Sequence, residues 1–539
     1  MAHSGSSLAS TLPLLLLSAC AAEQATDLPA GEIEVSIHPT TSTASSPELL
    51  VEGKQAYEKH CLSCHGKQGD GQGEAAYLLF PRPRDFTRGQ FRLASTWETI
   101  PTDQDLYATI SRGMPGSAMP SWRHLSERSR WGLVHYLKTF SDESFEILAA
   151  EDPEKQYGLG KGVIRVPEEA PYDSAGEQRA RELYAQGCAP CHGATGRGDG
   201  TKEQVDSKGL PTRPRDLTAG VFKGSYDPEE IYRRIVAGLP GSPMPTNAYL
   251  FGDDAWHLTH LVLSMSTPEQ REKVEMKKYR IVAHRTDRIP SHPDDGAWRD
   301  VDPVSLHLMP LWWRDDRPEA LEVKAVHDGE QLALLLLWSD ASYNHTVIRP
   351  QDFRDGAAVQ FALDPEPPFF AMGDQGERVN IWMWKSERQA DLEPAYQDLD
   401  KVYPNIGIDS YPNFSRSPLE QPGRHALTLA SDPTYVTAWG VGNVVSDPTG
   451  GSVEDLTAQG FGTLRARSGV DINVEATGAW AIGSYRVLFH RPLTTTSDSA
   501  ANLKTGQTIP IAFAVWDGGA GDRDGKKSVT IWQQLELAP

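Results

Sequence analysis

The apolar positions of the chain fall into three regimes. From Leu12 to Ala22 they form one run, broken by Pro13, which is shorter than the roughly 20 residues a spanning helix needs and reads as the apolar part of a signal peptide. Between about residue 50 and residue 268 they recur at helical spacing in two rounds. Gln55–His60 and Ser126 to about Thr139 are helical patterns in the first round, and Glu177–Gln186 and Asp253 to about Ser264 in the second. From residue 296 the period shortens. Val323–His327, the turn pair Asp328-Gly329 and Leu332–Trp338 spell a hairpin, and further strands are expected at Ala357–Leu363, Val379–Trp384, Tyr435–Val441, Ser484–His490, Ile509–Val515 and Ser528–Glu536. The pattern predicts a multidomain chain: a signal segment (1–20), a Thr/Ser/Ala/Pro-rich flexible tether (21–49), two all-α modules (50–145 and 172–268) with a linker between them (146–171), a polar linker (269–295), and a C-terminal all-β sandwich (296–539).

The two helical rounds are copies of one another. Each carries C-x-x-C-H: Cys61-Leu62-Ser63-Cys64-His65 and Cys188-Ala189-Pro190-Cys191-His192. Two thiols at this spacing bond the two vinyl groups of one haem, and the next residue offers its imidazole to the iron. A zinc site would need further Cys or His at ligand spacing, and a thioredoxin-like pair would need a βαβ context; neither is apparent. Aligning the copies sets Gly113-Met114-Pro115-Gly116-Ser117-Ala118-Met119-Pro120 on Gly238-Leu239-Pro240-Gly241-Ser242-Pro243-Met244-Pro245. Met114 falls on Leu239, but Met119 falls on Met244, so the shared Met119 and Met244 are the expected sixth ligands. Cys61 to Met119 spans 58 residues and Cys188 to Met244 spans 56. Thioether ligation favours reduced iron and suits an electron carrier, while leaving no coordination site for a substrate.

Further matches lie around the ligands. Tyr57 and Tyr184 each precede the first Cys by four residues and are expected to pack. Arg82-Pro83-Arg84-Asp85 matches Arg213-Pro214-Arg215-Asp216, so Arg84 and Arg215 are candidates for holding haem propionates, against an equally weighted reading as surface arginines in a stiff loop. Trp131/His135 and Trp256/His260 occupy one face of each closing helix. The histidines are rival ligands on chemistry alone, but a helix-face His is more commonly structural.

Charge narrows the partners. The net charge of −21 repels phosphate backbones and excludes a general nucleic-acid binder, and it suits a basic docking partner. Four of the five cysteines are taken by the haem motifs. The fifth, Cys20, ends Leu17-Ser18-Ala19-Cys20, which resembles a bacterial lipobox, although Met1 to Gly5 lacks the basic residue a secretory signal normally carries. The expectation is a protein outside the cytoplasmic membrane, periplasmic, lipid-anchored through Cys20 to a membrane surface.

Residues 50–145 and 172–268 each resemble a small class I cytochrome c domain, with C-x-x-C-H after the first helix, a Met loop and a closing helix. In the last third, Phe370-Ala371-Met372-Gly373-Asp374, Val379-Asn380-Ile381-Trp382-Met383-Trp384-Lys385, Tyr485 to Leu493 and Gly525-Lys526-Lys527-Ser528-Val529-Thr530-Ile531-Trp532 resemble the haem-binding gamma subunit of ethylbenzene dehydrogenase. That resemblance implies a DOMON-like β-sandwich holding one non-covalent b haem, with Met372 and Lys527 as axial ligands. It also implies an electron-transfer role beside a molybdopterin catalytic subunit of the dimethyl sulfoxide reductase type and an iron-sulfur subunit. A Lys must be neutral to bind iron, which calls for burial or the metal itself to lower its pKa; Lys526 is the solvated alternative.

The sequence therefore predicts an electron relay with two c haems and one b haem, exchanging electrons between a molybdopterin oxidoreductase and another carrier such as a soluble cytochrome c. No nucleophile–base or paired-carboxylate constellation makes the chain a catalyst. The alternative is a dihaem cytochrome whose haem-free sandwich binds a carbohydrate or other extracellular ligand through its tryptophans. A third class, an enzyme with an open haem, conflicts with both Met loops.

Overall fold

The computed structural model describes Met1 and residues 31–33, 37, 39, 41–152, 160–206, 209–314, 316–374, 376–392, 451–467 and 473–539. Cys20 with the rest of the signal segment, and the strand expected at Tyr435–Val441, lie outside these residues.

The chain has a helical N-terminal region and a β-rich C-terminal region. In the first helical module, α1 (Pro47–His60) starts where the Ser46 hydroxyl accepts from Leu49 N–H, and the short α2 (Leu62–His65) carries the haem motif. α3 (Asp103–Arg112) opens on a capping box between Thr102 and Asp105, and α4 (Glu127–Lys138) closes the module from the Ser126 cap. α1 crosses α4 glycine on glycine: a Cβ placed on Gly53 would lie 2.0 Å from the Gly132 carbonyl oxygen. The second module repeats the order with α5 (Ser174–Leu183), a π-turn at Tyr184–Cys188, α6 (Ala189–His192), α7 (Pro228–Ala237) and α8 (Asp253–Ser264), followed by α9 (Pro268–Lys273). Both closing helices hold an extended segment in the same way. Trp131 Nε1 donates to Thr41 O, and Trp256 Nε1 donates to Pro167 O.

The C-terminal region is one continuous sheet. β1 (Gly31–Glu32) pairs with β2 (Tyr279–Arg285). β3 (Val304–His307) pairs with the long β5 (Ala320–His327), which pairs in turn with β6 (Gln331–Ser339), while β4 (Met309–Pro310) pairs with a short strand at Ser528–Val529. β7 (Gly356–Ala362) and β8 (Val379–Lys385) lead into α10 (Ser386–Leu392). After the undescribed stretch come β9 (Val453–Ala458), β10 (Arg465–Ala466), β11 (Glu475–Ala481), β12 (Ser484–Pro492), β13 (Thr508–Trp516), β14 (Ser528–Val529) and β15 (Gln533–Leu537). The main path runs β10-β9-β8-β7-β13-β15-β2-β5-β6-β12-β11. Among the described residues the two halves join at β2, which is parallel to both β15 and β5. The halves face each other over a shared core, where Trp384 of β8 packs edge-on against Tyr485 of β12 and fills the space opened by Gly478 of β11.

Three expectations need correction. The segment 269–295, read as a polar linker, contains β2; its two buried positions, Ile281 and Ala283, are masked in the sequence by Lys277, Lys278, Arg280, His284 and Arg285. Part of the 21–49 tether is docked, because Gly31 and Glu32 pair with β2 and the Thr41 and Thr43 carbonyls accept from Trp131 and His135. The run Ser528–Glu536 is two strands rather than one, broken where Trp532 Nε1 turns to donate to Pro368 O.

Candidate haem centres

Both haem motifs face large apolar cavities. The first, about 1400 Å³, is lined by Cys61, Cys64, His65, Arg84, Met119 and apolar side chains including Phe86, Ile110 and Leu133. The second, about 1620 Å³, is lined by Cys188, Cys191, His192, Arg215, Met244 and residues such as Leu217, Leu250 and Leu258. Each is walled mainly by apolar side chains, which suits a flat apolar macrocycle. Met114 and Leu239, the mismatched pair of the repeat, also line their cavities.

The local backbone explains how the ligand groups are presented. Cys61 to His65 wind one helical turn, and Gly66 leaves it at φ +78°. Tyr57 Oη, one turn before the motif, donates to Gly66 O at 2.7 Å, and Tyr184 Oη does the same to Gly193 O at 3.0 Å. The tyrosines expected only to pack thus also fasten the turn that carries each histidine. His65 Nδ1 lies 2.9 Å from Arg84 O, which assigns its N–H to that carbonyl and leaves Nε2 for a metal. His192 Nδ1 is buried without a partner. Burial pushes both imidazoles down to about 4, so they are neutral donors at physiological pH. Burial likewise pushes the Cys64 thiol up to about 12 and Cys188 to about 11, the opposite of a redox-active thiolate.

His135 and His260 stand elsewhere. His135 Nε2 contacts Thr43 O at 2.7 Å and so holds the segment that precedes its module, and His260 Nε2 lies 3.3 Å from Glu169 in the corresponding segment.

The two arginines are not surface residues. Arg215 is 6% exposed, its Nε has no partner, and burial lowers it to about 9; Arg84 is half-buried and lowered to about 10 for the same reason. Each reaches the Met loop of the other module. A Cβ on Gly241 would meet the Arg84 guanidinium at 2.5 Å, and one on Gly116 would meet Arg215 Nε at 3.1 Å. Two features lay beyond the sequence reading. Arg92 and Lys223 line the cavities as well, and they follow Arg84 and Arg215 at the same spacing, a repeat match that the sequence contained. Trp313, from the C-terminal region, inserts between the modules with Arg215 and Arg317 each 4.1 Å from its ring, a long-range contact with no sequence signal.

Met372 and Lys527 belong to the outer face of β7, β8 and β13. That face carries Ala358, Ala362, Ala512 and Ala514, and its apolar cluster is continuous with the core of the first helical module. Met372 has φ +63°, a left-handed conformation rare outside glycine, and its N–H donates to Gln360 Oε1 of β7. Lys527 precedes β14 and lies with its ammonium 4.8 Å from the Trp516 ring. Trp516 pairs with Gly356, so the two anchoring points sit four residues apart on β7, about 13 Å along the strand. Burial lowers Lys527 to about 8, against the pull of Asp524. Lys526 is exposed.

The first cavity reaches this face at Phe369. Lys59 bridges to Glu366 and Glu377, and Phe80 exchanges backbone hydrogen bonds with Leu311 and Trp313.

Comparison with known proteins finds matches for the C-terminal region and for the first helical module. The family described as "Ethylbenzene dehydrogenase" matches residues 295–528. The C-terminal region resembles the haem-binding gamma subunit of ethylbenzene dehydrogenase. Residues 48–137 match "Cytochrome C oxidase, cbb3-type, subunit III", a cytochrome c domain. Among curated relatives, the chlorate reductase subunit gamma of Ideonella dechloratans is 26% identical, covering 41% of this chain and 65% of its own length. The dimethylsulfide dehydrogenase subunit gamma of Rhodovulum sulfidophilum is 26% identical over 47% of this chain and 77% of its own. A putative respiratory nitrate reductase heme subunit of Haloferax mediterranei is 22% identical over 46% and 69%. The chain is thus a haem-binding electron-transfer subunit and not the catalytic partner.

Proposed function

We propose that the chain relays single electrons between a periplasmic molybdopterin oxidoreductase and a further redox carrier, holding two c haems in the helical cavities and one b haem on the outer face of the β-sandwich. The observation that carries this reading is the pairing, in each cavity wall, of a C-x-x-C-H turn with the Met shared by both copies. Haem supplies reversible one-electron chemistry at potentials set by its axial ligands. Cys61/Cys64 and Cys188/Cys191 would attach the macrocycles, His65/Met119 and His192/Met244 would ligate iron, and Arg84 and Arg215 would meet propionates. Met372 and Lys527 would ligate the b haem: the alanine-floored face leaves room for a flat group, and the lowered Lys527 amine is readied as a neutral donor.

The DOMON-like relationship, the domain limits 50–145, 172–268 and 296–539, the lipid anchor at Cys20, and a molybdopterin and iron-sulfur partner belong to this proposal. Its support is the gamma-subunit relatives and, for the anchor, the lipobox-like sequence; no described helix is long and apolar enough to cross a membrane. Pyridine haemochrome analysis before and after acid-acetone extraction tests the haem inventory. A covalent-to-extractable ratio near two to one is expected, and the absence of extractable haem would remove the b site. Co-purification with a molybdenum-containing subunit tests the partner.

A further inference from the structure

The wall between the two helical cavities is common to both. Arg215 and Lys223 line the first cavity, with Cys61 and Met119, and also the second, with Cys188 and Met244. Arg92 lines only the first. Repeat alignment makes Arg92 and Lys223 counterparts, yet only the second module's residue reaches both sites.

The electrostatics of this wall are one-sided. Lys223 is lowered well below the ordinary range by burial and then by Arg215 and Arg92, and no carboxylate offsets it. Arg215 is lowered by burial and then by Arg317 and Arg92, again with no carboxylate partner. Asp206 acts on Arg92, and Asp85 with Asp206 on Arg84, but neither acid acts on Arg215 or Lys223. Trp313 supports Arg215 through its ring face, which orients a guanidinium without neutralising it. Buried like charges are costly unless an anion joins them. Arg215 Nε is an orphaned buried donor at this wall.

We propose that Arg215 and Lys223 form one cationic seat shared by the propionates of both c haems, so that a side chain of the second module helps to fix the haem of the first. Arg92 serves the first haem alone. The proposal rests on the haem c assignment above and adds that the two haems are electrostatically coupled through common counter-charges. The seat also accounts for the crossed arrangement of the arginines, in which each module closes the other's Met loop.

The test is spectroelectrochemical titration of the purified full chain, fitted to two c-type components, with Met119→His used to mark the first haem by its lowered potential. Removing a nearby cation favours oxidised iron. Lys223→Met is therefore expected to lower both c-haem potentials, whereas Arg92→Met lowers only the first. Arg215→Lys keeps the charge but loses the fork, and it is expected to move both components together. If Lys223→Met or Arg215→Lys shifts only the second component, or neither, the shared seat is wrong. If the parent chain carries no covalent haem, the underlying assignment fails instead, and haemochrome analysis separates the two outcomes.

Discussion

Tyr57 donates its hydroxyl hydrogen to the carbonyl oxygen of Gly66, at 2.7 Å, from a position nine residues earlier. The bond ties the last turn of α1 to the point where the chain leaves the haem motif. It is buried, and Gly66 O keeps the longer bond from Gly69 N–H, so Tyr57→Phe removes one hydrogen bond at a cost of about 0.5–1.5 kcal/mol. Denaturant unfolding followed by haem absorbance should show this loss with an unchanged ferrous spectrum. Tyr184→Phe should behave alike in the second module, through Gly193.

The crossing of α1 on α4 leaves no room for a methyl group at Gly53, 2.0 Å from the Gly132 carbonyl in the Cβ direction. Overpacking of this kind costs about 1–3 kcal/mol, and more where backbone must move. Gly53→Ala should lower the stability of the first module selectively, as read from unfolding followed at its haem. The second module has Ala180 at the matching position and tolerates it, at 0% exposure.

Lys527 titrates near 8 in the fold, below its ordinary value. A depressed lysine carries its destabilising cost below the folded pKa, and stability rises as pH climbs from about 8 toward the unfolded value of about 10.4. For a ligand the same sign means that protons compete with iron increasingly as pH falls below 8. Acidification should release extractable haem before any covalent haem spectrum changes, and Lys527→Ala should lack extractable haem at every pH while keeping the covalent pair.

Asp340, Asp355 and Asp517 gather at the ends of β6, β7 and β13, all buried. Burial, then Asp355 and Asp517, raise the Asp340 carboxyl to about 7, and burial raises Asp355 to about 6. A raised carboxyl contributes stability that is fully present below the unfolded value of about 3.9 and is lost as pH rises through the folded one. Asp340→Asn keeps the hydrogen bond from Ser342 N–H without the charge. It should raise the melting temperature at pH 8 and not at pH 4, by about 2–4 °C for each kcal/mol, in near-ultraviolet circular dichroism.

The haem motifs, the Met loops and the two closing helices were legible because they rest on local spacing, whereas α1 starts eight residues before its expected limit and α3 and α7 were not read at all. Asp253–Ser264 was read residue for residue, and most strand limits came within two. Much of what else escaped was non-local. β2 escaped because its apolar run, Ile281-Val282-Ala283, is only three residues long among five basic or histidine neighbours. The docking of Trp313 between the modules escaped because its partners lie about a hundred residues or more away. Lys223 is different in kind: its match to Arg92 was present in the repeat, but a conservative change of residue type hid it.

β2 follows the second helical module by a few residues and is the strand that stitches the two half-sheets together. The β unit therefore does not begin where its family match begins, at residue 295, but at least as early as Tyr279. A fragment starting at 295 would lack its seam, with β15 and β5 each missing a parallel neighbour. The sandwich of this chain is not a cassette that can be detached from its cytochrome half: its last stitch is sewn with thread that belongs to the preceding segment.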